Sequence, residues 1–378
     1  MTTLAQPPVQ PVSPVDSGNA PPSAPPGPVA SAFEPRRSVR ARTLDEIVGL
    51  GGSALGSLAL TWVLYERVLP WSGWLGFLIC WYGSFLGVFA LVTSIGNPRP
   101  VVIDRLVSAV VQAGAALVGF ALLTTVWFII ANGLPALLHR NFYTHDMAGV
   151  GPNAPLDQGG IFHALVGTAI QVGIATMIAL PLGVGTAVYM TEVGGRLART
   201  VRTVVEAMTA LPDILAGLFV YTVLIIGLGW PRTGFAAAMA LTVTMLPIIA
   251  RSAEVVLRVV PGGLREAGLA LGASQFQVVR RVVLPTARAG LATALILGIA
   301  RIAGETAPLL IVSGASTFTN WNPFVDPMNS LPLFIFSTVR SGQDLAIQRG
   351  YGAAALLLFI VVLLFVITRF LARDKVRR

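Results

Sequence analysis

Residues 261 to 285 read PGGLREAGLALGASQFQVVRRVVLP and form a basic segment between two long apolar runs. Good helix formers fill residues 264 to 271, Gly272 interrupts them, and residues 275 to 284 offer a second short amphipathic stretch. Pro285 is expected to fix the turn into the next apolar run, because proline cannot continue a helix interior without losing a hydrogen bond. The pattern predicts a projecting helix, break, helix element, which we call the 261–285 loop.

The composition of the 378-residue chain is that of a polytopic helical membrane protein. Hydrophobic residues make up 54% and charged residues only 11%, and the mean hydropathy is +0.76, outside the usual range for soluble proteins. Apolar runs of about 18 or more residues recur, which is the length that a hydrocarbon core requires of a helix. Eight spans are predicted, at about 45–64, 72–95, 107–131, 162–190, 203–228, 233–256, 289–312 and 351–371.

The formal net charge of +9 is explained by membrane topology better than by nucleic-acid binding, because the basic residues lie at span ends. They are Arg36, Arg37, Arg40 and Arg42 before the first span, Arg99 and Arg105 after the second, Arg196, Arg199 and Arg202 after the fourth, Arg258, Arg265, Arg280, Arg281 and Arg288 after the sixth, and Arg369, Arg373, Lys375, Arg377 and Arg378 at the end. Every second connection is basic, so the positive-inside rule places these connections and both termini in the cytoplasm.

Three parts of the chain are predicted. Residues 1–42 form a cytoplasmic tail whose first 34 or so residues are rich in Pro, Ala, Ser, Val and Gly, a composition typical of disorder. A signal peptide is not expected at this start. Residues 43–100 hold two additional transmembrane helices with a packing or assembly role, and residues 101–378 form a six-helix working unit that contains a cytoplasmic loop at about 258–288.

Motifs for metal binding and for catalysis are missing from the sequence. The histidines His139, His145 and His163 have no i, i+4 spacing and no cysteine partner, and the single Cys80 excludes an intramolecular disulfide. H-E-x-x-H and G-x-S-x-G do not occur, which disfavours a membrane enzyme. G-x-x-x-x-G-K-[ST] does not occur either, so ATP hydrolysis by this chain is not expected.

Two charges interrupt the seventh span, where residues 299–308 read IARIAGETAP. Arg301 lies about twelve residues from the start of that span, or roughly 18 Å at 1.5 Å per residue. An arginine near the bilayer centre costs at least about 2.5 to 3.5 kcal/mol unless it faces protein or water. Glu305 follows at i+4 and is positioned to pair with it, and Pro308 leaves the carbonyl of Gly304 without its N–H partner, which predicts a distortion.

Two functions of this pair remain open. A buried ion pair that only fixes helix packing is one alternative. The other is a guanidinium that faces a water-filled path, is held by Glu305 and offers its planar fork of donors to an oxyanion. Arg251 in the sixth span, four residues after Pro247, is positioned to face the same path, or else it is an interfacial arginine whose charged end reaches the lipid surface.

The 261–285 loop resembles the EAA loop of permease subunits in ATP-binding-cassette importers. The matching positions are Glu266, Ala267, Gly268, Gly272, Val282, Leu284 and Pro285, with Gly268 in place of the second Ala and Val282 in place of Ile. The resemblance implies that the loop docks into a groove on an ATPase subunit and transmits its closure to the membrane helices. The alternative is an amphipathic helix on the lipid surface, which Arg280 and Arg281 would support.

Further segments resemble the PstA-type permease of the phosphate-specific importer, over about residues 105 to 375. They read YMTEV at 189–193, LPDILAGLFVY at 211–221, LPIIARSAEVVLRVVPGGLREAGLALGAS at 246–274 and ARIAGETAPLL at 300–310. The resemblance implies a type I importer permease fold, phosphate uptake, and a transport role for Arg251, Arg301, Glu305 and the adjoining Thr306.

The same resemblance implies partners and a location. The partners are a sister permease (PstC-like), a pair of ATPase subunits (PstB-like) that bind ATP and Mg, and an external phosphate-binding protein (PstS-like), while this chain binds no cofactor. The location is the bacterial inner membrane. Asp213 departs from the family, in which a small polar residue is expected after Pro212, and so do the two additional helices and the tail. Sulfate or another oxyanion remains an alternative cargo, and a channel or membrane enzyme is the alternative of another class.

Overall fold

The computed structural model describes residues 44–68 and 72–373, so the predicted tail at 1–42 lies outside the described residues. In the described part, seven helices are long and apolar enough to cross a membrane, or eight if one bent helix pair counts as a single span. The predicted all-α polytopic fold is therefore confirmed.

The described part of the chain divides into two compact units, one before and one after the boundary at residues 114 and 115. In the first unit, α1 (Leu44–Val63) continues as a π-helical turn (Leu64–Val68) and packs against α2 (Trp74–Ser94). The indole N–H of Trp81 donates to the carbonyl of Ala54 at 3.3 Å, and the rings of Tyr65 and Phe77 meet edge to face at 5.7 Å. These contacts form a helical hairpin; its assembly role and the predicted boundary near residue 100 remain predictions.

The remaining helices follow in chain order. They are α3 (Arg99–Leu137), α4 (Asn141–Thr144), α5 (Phe162–Val188, then a π-helical turn at Tyr189–Val193), α6 (Gly195–Ala210), α7 (Asp213–Val220, then a π-helical turn at Tyr221–Gly227), α8 (Gly234–Arg258), α9 (Gly262–Ala270), α10 (Gln275–Val278, then a π-helical turn at Val279–Val283), α11 (Leu284–Ala303), α12 (Ala307–Val312), α13 (Leu331–Val339) and α14 (Asp344–Arg373).

The core of the second unit lies between α5 and α8, which pack along much of their length. Small side chains line both helices, and Ala175, Ala179, Ala236, Ala237 and Ala240 are fully buried. A Cβ on Gly183 would lie 2.8 Å from Cγ2 of Ile249. Small residues allow such close backbone approach between membrane helices, which makes this pair a rigid frame for the helices around it.

The prediction of one continuous fifth span at 203–228 is wrong. α6 ends at Ala210, α7 begins at Asp213, and the two helices are bent by 102°. Leu211 is extended, with φ −72° and ψ 137°, because the ring of Pro212 disfavours helical geometry in the residue before it. The predicted span is therefore a broken pair of helices.

The prediction of one seventh span at 289–312 is also wrong, at both ends. The helix already begins at Gln275, and it ends at Ala303 before a break at 304–306. The expected distortion near Pro308 is present as this break. Pro285 makes no turn: it follows the π-helical turn at Val279–Val283, where the regular i→i−4 hydrogen-bond pattern is already interrupted, and the helix continues through it.

Candidate functional site

Arg301, Asp213 and Glu305 come together where the two broken spans meet; we call them the Arg301 cluster. Nη2 of Arg301 donates to Oδ2 of Asp213 at 2.9 Å and lies 3.2 Å from Oε1 of Glu305. The predicted i, i+4 contact with Glu305 is therefore present. The contact with Asp213, 88 residues away in sequence, joins the first residue of α7 to the last turn of α11.

The backbone around this cluster is closely packed. α7 packs against α12, and a Cβ on Gly217 would lie 2.6 Å from Cα of Pro308. Asp213 stands in the first turn of α7 and Arg301 in the last turn of α11, where the helix dipoles favour an anion and a cation respectively. Thr306 precedes α12 in the break, and its carbonyl accepts the N–H of Leu310 at 3.2 Å.

The Arg301 guanidinium keeps hydrogen-bond donors that are available to a ligand. Its side chain is 55% exposed, compared with 34% for Asp213 and 11% for Glu305. Among the described residues only its Nη2 donates a hydrogen bond, so Nε and Nη1 keep their N–H groups for another acceptor. Nε and Nη1 lie on different edges of the guanidinium, and an oxyanion can accept a hydrogen bond at either one.

Arg251 lies in a second and separate group of charges. Its Nη1 donates to Oε1 of Glu206 on α6 at 2.9 Å and lies 3.5 Å from Oε2 of Glu254. Glu254 is 1% exposed, and its Oε1 also accepts hydrogen bonds from Arg202 at 2.9 Å and Arg258 at 2.6 Å. The Arg251 group shares no contact residue with the Arg301 cluster in the described part of the chain.

The 261–285 loop is joined to the rest of the protein by Arg265. Nε of Arg265 lies 3.1 Å from both carboxylate oxygens of Glu192, and Nη2 lies 2.9 Å from Oε1. Nη1 donates to the carbonyl of Val260 at 2.7 Å and Nη2 to that of Leu257 at 2.9 Å. Gln275 also donates to the carbonyl of Glu192. This junction, next to a cavity of about 710 Å³, ties the loop to the ends of α5 and α8.

The two short helices of the loop form as the sequence predicts, with a break at Gly272. That glycine has φ +81°, a left-handed conformation that favours glycine. Ser274 then caps α10 in a reciprocal capping box with Gln277. A Cβ on Gly268 would lie 2.9 Å from Cγ2 of Val278, so the glycine that departs from the EAA pattern lets α9 approach α10.

The outward surface of the loop is free for a partner. Glu266 and Ala267 are exposed, as is Pro285, and Leu284 is half-buried. The apolar side chains of Leu271 and Phe276 are 89% and 72% exposed. The structure thus presents the matched EAA positions together with apolar side chains that no described residue covers.

A third polar contact joins two segments that connect helices, one at Asp146 and the other at Thr319. Asp146 accepts hydrogen bonds from the backbone N–H and the hydroxyl of Thr319, at 2.9 and 3.0 Å, and from the N–H of Ala148 at 3.2 Å. Burial pushes the pKa of this carboxyl up, but the hydrogen bonds from Thr319 and Ala148 outweigh burial and hold the pKa below its ordinary value.

Several of these partners were not predicted. The sequence marked Asp213 only as a departure, and it marked Arg202, Arg258 and Arg265 only as topology signals. Glu254 had a usable signal, since it stands at i+3 from Arg251 and i−4 from Arg258 on one helix face. Glu192 and Asp213 had none, because their partners are 73 and 88 residues away.

The chain matches known proteins over most of its second unit. Residues 179–374 match the family described as binding-protein-dependent transport system inner membrane component. The phosphate transport system permease protein PstA 1 of Mycobacterium tuberculosis is 40% identical over 237 residues, which are 62% of this chain and 77% of that protein. PstA of Mycobacterium leprae is 38% identical over 245 residues, 64% of this chain and 80% of that protein.

A solved structure of the MetNI methionine ABC transporter in an inward-facing conformation aligns with 57% of this chain and 94% of its own, at 26% identity and a TM-score of 0.45. The sequence match covers more than half of the chain, and the matched part includes the broken spans and the 261–285 loop. The chain therefore belongs to the family of binding-protein-dependent transport system inner membrane components, in which it groups with the PstA permeases.

Proposed function

We propose that the chain is the permease subunit of an ATP-driven importer that moves inorganic phosphate across the bacterial inner membrane by alternating access. Membership in the family and the multi-pass helical fold support this function. The observation that carries it is the Arg301 guanidinium, whose Nε and Nη1 remain available at the meeting point of two broken spans.

The substrate path is built from the sequence-predicted residues. Phosphate carries one to two negative charges near neutral pH, so its passage requires water and a cationic lining rather than hydrocarbon. In this proposal Arg301 contacts the anion, Glu305 holds Arg301 from the buried side, Thr306 lies at the adjoining break, and Arg251 belongs to the lining. Because the pathway must release the anion, weak and partial coordination by one guanidinium is an advantage.

Coupling to ATP follows from the continuous helix between the 261–285 loop and Arg301. This helix runs over 29 residues from Gln275 to Ala303, which is about 43 Å at 1.5 Å per residue. We propose that the loop docks on an ATPase subunit through Glu266, Ala267, Gly268, Gly272, Leu284 and Pro285. Movement of the docked end is then transmitted along the helix to Arg301.

The proposed complex has four kinds of subunit. A sister permease completes the pathway, a pair of ATPase subunits binds ATP and Mg, and an external binding protein delivers phosphate. The basic connections and both termini face the cytoplasm in this arrangement, because the arginine-rich segments follow every second span. Hydrolysis takes place on the ATPase subunits.

Reconstitution tests this function directly. The complex that co-purifies with the chain is placed in liposomes, and uptake of ³²P-phosphate is measured with and without ATP and the binding protein. We expect uptake that requires both, and a strong loss with Glu266→Lys but not with the control Glu66→Lys, an exposed glutamate of the first unit. Uptake without ATP, or an unchanged ATPase stimulation in Glu266→Lys, would contradict the proposal and favour a channel.

A further inference from the structure

The Arg301 cluster has two carboxyl groups for one guanidinium. One guanidinium is in contact with two carboxylates, Asp213 at 2.9 Å and Glu305 at 3.2 Å, through the same nitrogen. The two carboxyl groups also hydrogen-bond each other, so the formal sum is one negative charge with both ionised and zero with one proton shared, at the place where, under the proposed function, an anion passes. Like charges at such separations repel, so a second carboxylate is unexpected in a pathway that only has to attract anions.

The chemistry of oxyanions gives the second carboxylate a use. Phosphate and arsenate keep one or two protons near neutral pH, so they both donate and accept hydrogen bonds. Sulfate has lost both protons and only accepts. A carboxylate beside a guanidinium accepts the O–H of a protonated oxyanion, but it repels a fully deprotonated one.

The two carboxylates differ in access. Glu305 is 11% exposed and follows Arg301 on the same chain segment, whereas Asp213 is 34% exposed and comes from α7. Asp213 is therefore the more accessible of the two carboxylates to an anion bound to Nε or Nη1 of Arg301. Glu305 remains behind the guanidinium and positions it.

We propose that Asp213 is a specificity-determining residue that restricts the Arg301 cluster to protonated oxyanions, with phosphate and arsenate accepted and sulfate rejected. This inference rests on the proposed transport function and deepens it, because it gives the permease its own selectivity in addition to that of a binding protein. Arg301 donates to the oxygens of the anion, and the Asp213 carboxylate accepts the hydrogen bond from its hydroxyl.

Competition binding to the membrane complex tests the proposal. The co-purifying complex is held in lipid nanodiscs without the soluble binding protein, and bound ³²P-phosphate is displaced with arsenate or sulfate at constant ionic strength. In the wild type we expect arsenate to displace phosphate and sulfate to be at least about tenfold weaker, as one charge-assisted hydrogen bond provides. In Asp213→Asn, whose amide both donates and accepts, this gap should shrink by about tenfold.

Matched variants test whether the effect belongs to the carboxylate of Asp213. Glu206→Gln removes a carboxylate 2.9 Å from the other pathway arginine, Arg251, and should leave the ratio of sulfate to arsenate unchanged. Asp213→Ser should behave like Asp213→Asn, and Asp213→Glu should keep the wild-type preference. If Asp213→Asn and Asp213→Ser change both competitors by the same factor, or change neither, the proposal is overturned.

The specificity role of Asp213 and the proposed transport function can fail separately. A wild-type complex that imports phosphate with ATP, but whose Asp213 variants keep the wild-type ratio, defeats only the specificity role. A wild-type complex that imports no phosphate defeats both.

Discussion

Arg301 and Arg265 both contact carboxylates from distant parts of the chain, but they use their guanidinium groups differently. Arg265 donates from all three nitrogens, to Glu192 and to two carbonyls, and its side chain is 24% exposed. Arg301 donates from one nitrogen and is 55% exposed. A largely buried guanidinium that donates from all its nitrogens acts as a structural joint. An exposed guanidinium that donates from only one nitrogen is free to bind a ligand.

Energetics follow from this difference. Removing one partner of a buried ion pair leaves an uncompensated charge and is strongly destabilising, whereas a pair as exposed as Arg301 and Asp213 contributes about 0 to 1 kcal/mol. Substitutions at the two arginines should therefore separate stability from transport.

Arg265→Ala should have the largest effect on stability. The Glu192 carboxylate, 7% exposed, would lose its partner, at a cost of about 3 kcal/mol, and only the hydrogen bond from Gln275 to Glu192 would still join the loop to the end of α5. We expect a clear drop in the melting temperature of the purified complex and a loss of ATP-driven uptake. Arg281→Ala, which removes an exposed arginine from the same loop, is the control, and equal melting temperatures for the two variants would refute the role of Arg265 as a joint.

Gly217→Ala should be the next most damaging change. Its new Cβ would lie 2.6 Å from Cα of Pro308 and 2.8 Å from the carbonyl oxygen of that residue, and backbone atoms cannot move aside cheaply. Overpacking of this kind costs about 1 to 3 kcal/mol, and here it also separates α7 from α12 at the Arg301 cluster. Gly185→Ala on α5, where nothing lies within 4 Å of the added Cβ, is a matched control. Normal stability and uptake in Gly217→Ala would show that the two half-helices are not closely packed.

Asp146→Asn should have a smaller effect that depends on pH. Hydrogen bonds hold the pKa of the folded carboxyl below its ordinary value, so its stabilisation is present above the unfolded pKa and is lost as the pH falls through the folded pKa. The variant should melt below the wild type at pH 7, and the difference should vanish in strong acid. A difference that is constant with pH would mean that the ionised carboxylate is not what Thr319 binds.

The sequence predicted these regions unequally, for a physical reason. The loop helices, the glycine break and the Arg301 to Glu305 contact were predictable because each depends on residues close in sequence. The contacts of Asp213 and Glu192 depend on how distant helices pack, and no periodicity reports that. Pro212 could have signalled the broken fifth span, since proline biases the residue before it toward extended geometry, but apolar length alone made the segment resemble one continuous helix.

The same reasoning explains the error at Pro285. A proline that follows an amphipathic stretch usually ends a helix, and only the π-helical turn before it, which has no sequence signature here, allowed the helix to continue to Ala303. Because this continuous helix connects the loop to Arg301, it is the element that carries the proposed coupling to ATP.

The most direct test of the central claim combines two measurements on Arg301→Gln. We expect the purified complex to melt within a few degrees of the wild type, because the Arg301 side chain is 55% exposed and the amide of Gln keeps N–H donors for the neighbouring carboxyl groups. Uptake of ³²P-phosphate by cells that express the variant at the wild-type level should nevertheless be lost. Wild-type uptake at equal expression would contradict a pathway role for Arg301, and a large loss of thermal stability would make it a structural joint like Arg265.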